Sequence, residues 1–288
     1  MIFYITKPNS RRKPIMKYLI TLTLLVSQLM AFSLFDNSKE INKQNLTLVH
    51  DIKNIIITTQ KTRGLTNSYM NGNVVAQLLV YNQREEMTKN IKAIGDDLSK
   101  IDNSKKFSKE ADAIIKSVKK LNKRAFRMPS GEVFATYTHY IEQWMALNSK
   151  IIDAQFKDAK THSALVLLNG TVLPLTENIG KMRGMGSGIV ARGTCKDIET
   201  PKMQAFASEI VRYKEDMMGY LKKHTYAALT KSDLRTINKN IVDYTKLTTS
   251  KVIGQEKIDL DANNFFDQGT GCIKDVLKVY KVVADTLD

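Results

Sequence analysis

Two arginines in matching sequence contexts are the residues with the clearest chemical potential. The segment KTRGL at residues 61–65 is matched by KMRGM at residues 181–185, an offset of 120 residues from Arg63 to Arg183. A guanidinium group is planar and presents a fork of N–H donors, which suits planar or bidentate oxyanions. Two such groups on equivalent helices repel each other unless an anion lies between them. We therefore predict that Arg63 and Arg183 hold a small anion between them.

Both arginines continue an apolar seam that follows helical spacing. Residues spaced alternately three and four apart lie on one face of a helix, so each arginine is expected to face a partner helix. A charge in that position is costly unless it is paired. One alternative is a buried ion pair with Glu142 or Asp153. The seam residues are Val49, Ile52, Ile56 and Thr59 before Arg63, and Val172, Thr176 and Ile179 before Arg183.

Three polar side chains are candidates for further contacts to the anion. Thr59, Asn67 and Ser187 each lie four residues from one of the two arginines, which is one helical turn. We expect their hydroxyl and amide groups to supply supporting donors to the bound anion.

Glycines at a spacing of four residues accompany the second arginine. Gly180, Gly184 and Gly188 line one face of the predicted helix, and we call them the glycine ridge. Gly64 is the matching position upstream. Interior glycines cost a helix about 1 kcal/mol each relative to alanine, so a local reason for them is expected. The ridge allows another backbone or a ligand to approach closely, and simple close packing of helices is the alternative.

The periodicity of the chain predicts an all-α fold. No convincing alternating strand pattern is present, and breaks rich in Gly, Asn, Pro and Ser separate the helical segments. We expect eight helices that form two antiparallel four-helix bundles packed side by side. Bundle one covers about residues 38–160 and bundle two about 161–288. The predicted helices are 40–70, 74–101, 107–126, 132–158, 161–191 with a kink at Pro174, 200–224, 232–250 and 265–287.

The first 33 residues have the pattern of a secretory signal peptide. A basic stretch precedes an apolar run, and Ala31-Phe32-Ser33 fits a cleavage site with small residues. The protein of residues 34–288 is then periplasmic or secreted. An uncleaved N-terminal membrane anchor, with the rest facing the periplasm, is the alternative.

The formal net charge is +15, and removing the five Lys and Arg of residues 1–33 leaves +10, which favours anionic partners. We do not expect nucleic acid among them.

Composition gives little support for catalysis or for a metal. The four histidines are scattered, and no phosphate loop, nucleophile elbow or paired acid and base is recognisable, so we expect a protein without cofactor, metal or enzymatic activity. The two cysteines, Cys195 and Cys272, predict one disulfide if the chain reaches an oxidising compartment. Two free thiols are the alternative.

The segment around Arg183 also resembles a known family. Residues 174–177, PLTE, followed by GKMRGMGS at residues 180–187, are similar to the nitrate- and nitrite-sensing domain of bacterial signalling proteins. Residues 62–65 are similar to the segment of its first helix that carries an arginine, and Phe265, Phe266 and Thr270 give a looser match. The resemblance implies two four-helix bundles with nitrate or nitrite held by arginines, here Arg63 and Arg183. Arg212 and Arg235 are candidates for additional arginines.

The same resemblance bears on how the chain would signal. Such domains usually precede a kinase, methyl-accepting, cyclase or RNA-binding output module, and none is recognisable in these 288 residues. We therefore expect a binding component that acts through a membrane receptor or kinase partner, or as a homodimer. A chemoreceptor-like helical module that binds an organic acid or a protein is the alternative function.

Overall fold

The computed structural model describes residues 13–101 and 104–287, with side chains from residue 40 onward. The predicted signal peptide, residues 1–33, lies outside the residues whose side chains are described, so its presence stays a prediction. Within the described part of the chain, no helix combines the length and the apolar character needed to cross a lipid bilayer.

The described residues form helices joined by short connections, and no β-strand occurs among them, which confirms the all-α prediction. The predicted helices are all present, with ends displaced by a few residues, except that the first begins at Lys13 and not at residue 40. We number them along the chain as α1 (Lys13–Met70), α2 (Ala76–Leu98), α3 (Ser104–Arg124), α4 (Ser130–Gln155), α5 (Ala159–Leu167), α6 (Leu173–Arg192), α7 (Thr200–Lys223), α8 (Lys231–Lys251) and α9 (Ala262–Ala284).

The predicted fifth helix is continuous but changes its winding before Pro174. A π-helical segment, Leu168–Val172, joins α5 to α6. Proline has no N–H to donate, and its ring clashes with the carbonyl four residues earlier, here that of Gly170. The wider π turn accommodates this residue inside the helix. Asn169 in this turn donates to the Met145 carbonyl at 3.1 Å, which ties the segment to α4.

Helix α6 lies at the centre of the packing because its sequence is apolar or small on nearly every side. It contacts α7 and α9 extensively, and most of its residues are buried. Gly193, with φ of 78°, ends the helix in the left-handed conformation that glycine adopts without strain. Arg183 lies in the buried middle of this helix, whereas Arg192 at its end is exposed. The position of α6 therefore determines the environment of Arg183.

The contacts between helices agree with two adjacent bundles, but they do not establish where one bundle ends and the other begins. Helix α3 packs on α2 and α4, whereas α8 packs on α7 and α9. Residues 45–288 nevertheless cluster as one compact unit. The boundary predicted near residue 160 stays a prediction.

The predicted disulfide between Cys195 and Cys272 does not form. Both thiols are free and buried, and each has its own polar neighbour. The Cys195 sulfur lies 3.6 Å from the Thr200 hydroxyl oxygen, and the Cys272 thiol donates to the Asn240 carbonyl at 3.3 Å. The even cysteine count indicated a bridge, but tertiary packing places the two thiols in different surroundings.

Two glycines inside helices should respond oppositely to alanine. A β-carbon on Gly186 in α6 would lie 2.6 Å from the buried ring of Phe265, whereas one on Gly219 in α7 would meet nothing within 4 Å. We expect Gly186→Ala to lower the free energy of unfolding by about 1–3 kcal/mol through overpacking. Gly219→Ala, the matched control, should raise it by up to about 1 kcal/mol because alanine favours the helix.

Urea denaturation of the two variants and the wild type measures both effects. Equal or increased stability of Gly186→Ala would show that the contact between α6 and α9 is looser than described.

Candidate anion site at Arg63 and Arg183

Both arginines are turned into the protein, where α1 and α6 meet. Arg63 is 1% exposed and Arg183 is 5% exposed. Asn67 on α1 donates its amide to the Gly184 carbonyl on α6 at 2.9 Å, so the helices approach closely beside both arginines. Buried guanidinium groups require partners, and the partners of the two side chains differ.

The glycine ridge faces α1 and makes room for the guanidinium groups. A β-carbon on Gly180 would lie 3.4 Å from Arg63 Nη2, and one on Gly64 would lie 3.6 Å from Arg183 Nη2. At Gly184 the corresponding point is 3.8 Å from the Gly64 α-carbon. At Gly188 it is 3.7 Å from Asn67 Nδ2. The small residues therefore let each arginine cross the backbone of the opposite helix.

Each arginine also contacts one phenylalanine and one threonine, which lie on α4 for Arg63 and on α9 for Arg183. Arg63 lies over the ring of Phe134, with 4.7 Å from Cζ to the ring centroid, and its Nη1 donates to Thr138 Oγ1 at 2.8 Å. Arg183 lies over Phe266 at 4.4 Å, and its Nη1 donates to Thr270 Oγ1 at 2.8 Å. Both threonines follow their phenylalanine by four residues, on α4 and α9. The duplicated arginines thus sit in duplicated surroundings.

Arg63 is neutralised by a carboxylate of α6. Its Nη1 and Nη2 donate to the two oxygens of Glu177, the second at 3.1 Å. Lys181 Nζ lies 3.7 Å from the same carboxylate. This bidentate pair is buried on both sides and ties α1 to α6.

The carboxylates proposed as alternative partners of the arginines are wrong. Glu142 pairs with Lys181 at 3.4 Å, and Asp153 pairs with His162 at 2.9 Å. Both are on α4, where their side chains serve other cations. The partner of Arg63 is Glu177 instead, a residue of the PLTE segment.

Arg183 has no such carboxylate among the described residues. We call the surroundings of each arginine a half-site. In a full duplication the acidic partner of Arg183 would lie 120 residues before Glu177, but that position is Ile57, so the half-site of Arg183 lacks the acidic group that Arg63 has. The Nε atoms of both arginines are buried and have no hydrogen-bond partner in the described part of the chain, so the missing carboxylate is what distinguishes Arg183. Burial, together with the positive charge of Arg63, lowers the pKa of Arg183 to about 10, although the charge of Glu177 opposes this shift. The side chain still carries its charge at neutral pH, so the site holds a buried cation with no carboxylate in hydrogen-bond contact among the described residues.

The three predicted supporting donors make other hydrogen bonds in this structure. Thr59 donates to the Ile55 carbonyl at 2.7 Å, and Ser187 donates to the Arg183 carbonyl at 2.7 Å. Asn67 donates to Gly184, as described above. The candidates for additional arginines, Arg212 and Arg235, are exposed on α7 and α8. The structure therefore brings Arg63 and Arg183 together and leaves these two outside the site.

No cluster of three or more His, Cys, Asp and Glu side chains with the geometry of a metal site occurs among the described residues.

Comparison with known proteins connects this site to a family. The solved structure of the NasR transcription antiterminator is similar, with a TM-score of 0.69 and 13% sequence identity, over 92% of this chain and 73% of that chain. At this identity the similarity shows the fold alone. Because a transcription antiterminator shares the fold, the expectation that nucleic acid is not a partner gains no support. No curated protein sequence matches the chain.

A family model described as nitrate and nitrite sensing matches residues 54–288, which include both arginines, Glu177 and the glycine ridge. The match covers most of the chain, and it agrees with the resemblance of the segment around Arg183. The chain therefore belongs to the nitrate and nitrite sensing family.

Proposed function

We propose that this protein is a nitrate or nitrite sensor component whose anion binds beside Arg183 and which acts in signal transduction through a partner. The observation that carries this function is the buried charge of Arg183, which has no carboxylate partner among the described residues and whose Nε has no hydrogen-bond partner. Membership of the family supports the choice of anion.

The energetics of a buried cation favour an anion at this place. Transfer of an unpaired charge into the protein interior is strongly unfavourable, and a bound anion restores both the pairing and the hydrogen bonds. The charge of Arg63 is already balanced by Glu177, so the attraction is concentrated at Arg183. A planar oxyanion can lie in the plane of the Arg183 guanidinium fork, while Phe266 covers the face of the guanidinium group.

The two arginines then have different roles, unlike the shared site expected from the sequence. Arg63 and Glu177 form a permanent link between α1 and α6. Arg183 is the group that gains a partner when the anion binds. A carboxylate supplied by the protein at one half-site and a diffusible anion at the other would complete the charge balance of the interface.

Export and partnership follow from the sequence alone and are part of the proposal. The apolar run before residue 34 supports delivery to the periplasm or secretion, with membrane anchoring as the alternative. A binding role without catalysis agrees with the arginine and glycine pattern. The occupied state would be read by a membrane receptor, by a kinase or by a second copy of the chain.

A cavity next to Phe134 and Thr138, the neighbours of Arg63, favours an organic acid as a second candidate ligand. The cavity has a volume of about 610 Å³ and is lined by Phe134, Phe206, Lys181 and Lys202 among others. Aromatic rings with nearby ammonium groups suit a molecule that has an apolar body and a carboxylate. Binding of such an acid with undiminished nitrate affinity would place it in this cavity rather than at Arg183.

Removal of the Arg183 charge should abolish anion binding without harming the fold. Arg183→Met keeps an unbranched apolar stem but removes the unpaired buried cation, so the stability without anion should be equal or higher. We expect the wild type to bind nitrate or nitrite more tightly than sulfate, and the variant to lose at least about tenfold in affinity, or 1.4 kcal/mol.

Isothermal titration calorimetry with nitrate, nitrite, chloride and sulfate measures this difference. The control is Arg212→Met, which removes an exposed arginine of α7. Unchanged nitrate affinity in Arg183→Met would refute the proposed function.

The equivalent change at Arg63 should have the opposite effect on stability. Arg63→Met leaves Glu177 buried without its bidentate partner, so we expect a loss of about 3–5 kcal/mol in the free energy of unfolding. Thermal and urea unfolding of Arg63→Met and Arg183→Met in anion-free buffer provide the comparison. Equal losses in the two variants would contradict the difference between the half-sites.

A further inference from the structure

A second unpaired donor lies beside Arg183. Tyr244 on α8 is 2% exposed, and its hydroxyl has no hydrogen-bond partner among the described residues. Buried tyrosine hydroxyls usually find a partner, and a donor left without one costs stability. The position of this hydroxyl needs an explanation that packing alone does not give.

Tyr244 and Arg183 meet at the same glycine of α9. A β-carbon built on Gly269 would lie 2.7 Å from the Tyr244 hydroxyl oxygen and 2.9 Å from Arg183 Cγ. Any larger residue at position 269 would displace one of the two side chains. Gly269 therefore allows the hydroxyl and the arginine to approach each other across α9.

The tyrosine ring is held in place by its neighbours. Its centroid lies 5.1 Å from that of Phe265, which in turn packs against Gly186 of α6. The hydroxyl is therefore directed by the core and does not depend on a flexible loop. Burial raises the pKa of Tyr244 well above its usual value, so the hydroxyl keeps its proton and remains a donor at neutral pH.

Both unpaired groups of this cluster can donate, and the Tyr244 hydroxyl can also accept, so a partner with accepting oxygens suits both. Arg183 Nε has a proton to donate and no lone pair to offer, and a guanidinium never accepts a hydrogen bond. A water molecule could accept from both groups, but it would then have two protons of its own to donate and would leave the charge of Arg183 unbalanced. The nearby Thr270 hydroxyl has already used its proton, since it donates to the Phe266 carbonyl at 2.9 Å. A species that only accepts, with negative charge, satisfies both donors and balances Arg183.

We propose, building on the function proposed above, that Tyr244 is an anion-binding residue of this protein, whose hydroxyl donates to the nitrate or nitrite held by Arg183. One oxygen of the anion takes the N–H of Arg183, and another takes the O–H of Tyr244. Helix α8 thereby joins α6 and α9 in contact with the ligand. Anion binding then changes the contacts of α8 as well as those of the helices that carry the arginines.

The test is Tyr244→Phe, with Tyr280→Phe as the matched control. Tyr280 on α9 is also buried, at 4% exposed, and its hydroxyl also has no partner among the described residues, but it lies away from Arg183, in a cavity that His50 and Lys53 line. Without anion, both variants should be as stable as the wild type or more stable, because each loses an unsatisfied buried group. With nitrate, only Tyr244→Phe should bind about tenfold more weakly, as expected for a hydrogen bond to a charged ligand.

Calorimetry and thermal unfolding with and without nitrate separate the outcomes. A Tyr244→Phe protein that is folded and binds nitrate like the wild type overturns the assignment of Tyr244 and leaves the anion site at Arg183 standing. A wild type that binds neither nitrate nor nitrite overturns the proposed function itself. Equal weakening in Tyr280→Phe would also overturn the assignment, because it would show a general effect of losing a buried hydroxyl.

Discussion

Two buried guanidinium groups but only one partner carboxylate lie at the contact of α1 and α6 among the described residues. This imbalance of charge determines the rest of the site. Glu177 accepts from both Nη atoms of Arg63, whereas Arg183 reaches only a neutral hydroxyl and an aromatic face. A folded protein tolerates an unpaired internal cation only when other contacts offset its cost. In this protein the offset comes from the packing of α6, and it leaves the cation ready to attract an anion.

The glycines of α6 make this arrangement possible. Their absence of side chains brings α1 close enough for Arg63 to pass Gly180 and for Asn67 to reach the Gly184 carbonyl. Each interior glycine costs helix stability, about 1 kcal/mol relative to alanine. That cost is understandable when Gly180 makes room for the Arg63 guanidinium, and Gly64 on α1 makes room for that of Arg183. The pairing of Phe134 with Thr138, and of Phe266 with Thr270, then orients both groups in the same way.

Much of the fold was predictable because helical periodicity is a local property. The seams that end at Arg63 and Arg183 indicated correctly that both side chains face inward. Turn residues such as 71–73 predicted helix ends close to those in the structure. The spacing of Phe134 and Thr138, repeated by Phe266 and Thr270, is a sequence signal for the neighbours of the arginines that periodicity alone had not revealed. The two pairs lie 132 residues apart, whereas the arginines lie 120 residues apart, so the repeat becomes visible only in the structure.

The partners of these side chains depended on tertiary packing and could not be predicted. Glu142 and Asp153 were as plausible as Glu177 from spacing alone, because the rotation of each helix about its axis decides which carboxylate reaches Arg63. The disulfide failed for a similar reason, since an even number of cysteines says nothing about their separation. The unpaired hydroxyl of Tyr244 is equally invisible in the sequence, where it reads as one apolar position of α8.

The most direct test of the charge imbalance is a crystal structure of the protein grown with nitrate. The account predicts one anion in contact with Arg183 Nε, with Glu177 still bound to Arg63. An anion that bridges both arginines after displacing Glu177, or an empty site at Arg183 with nitrate bound elsewhere, would contradict it.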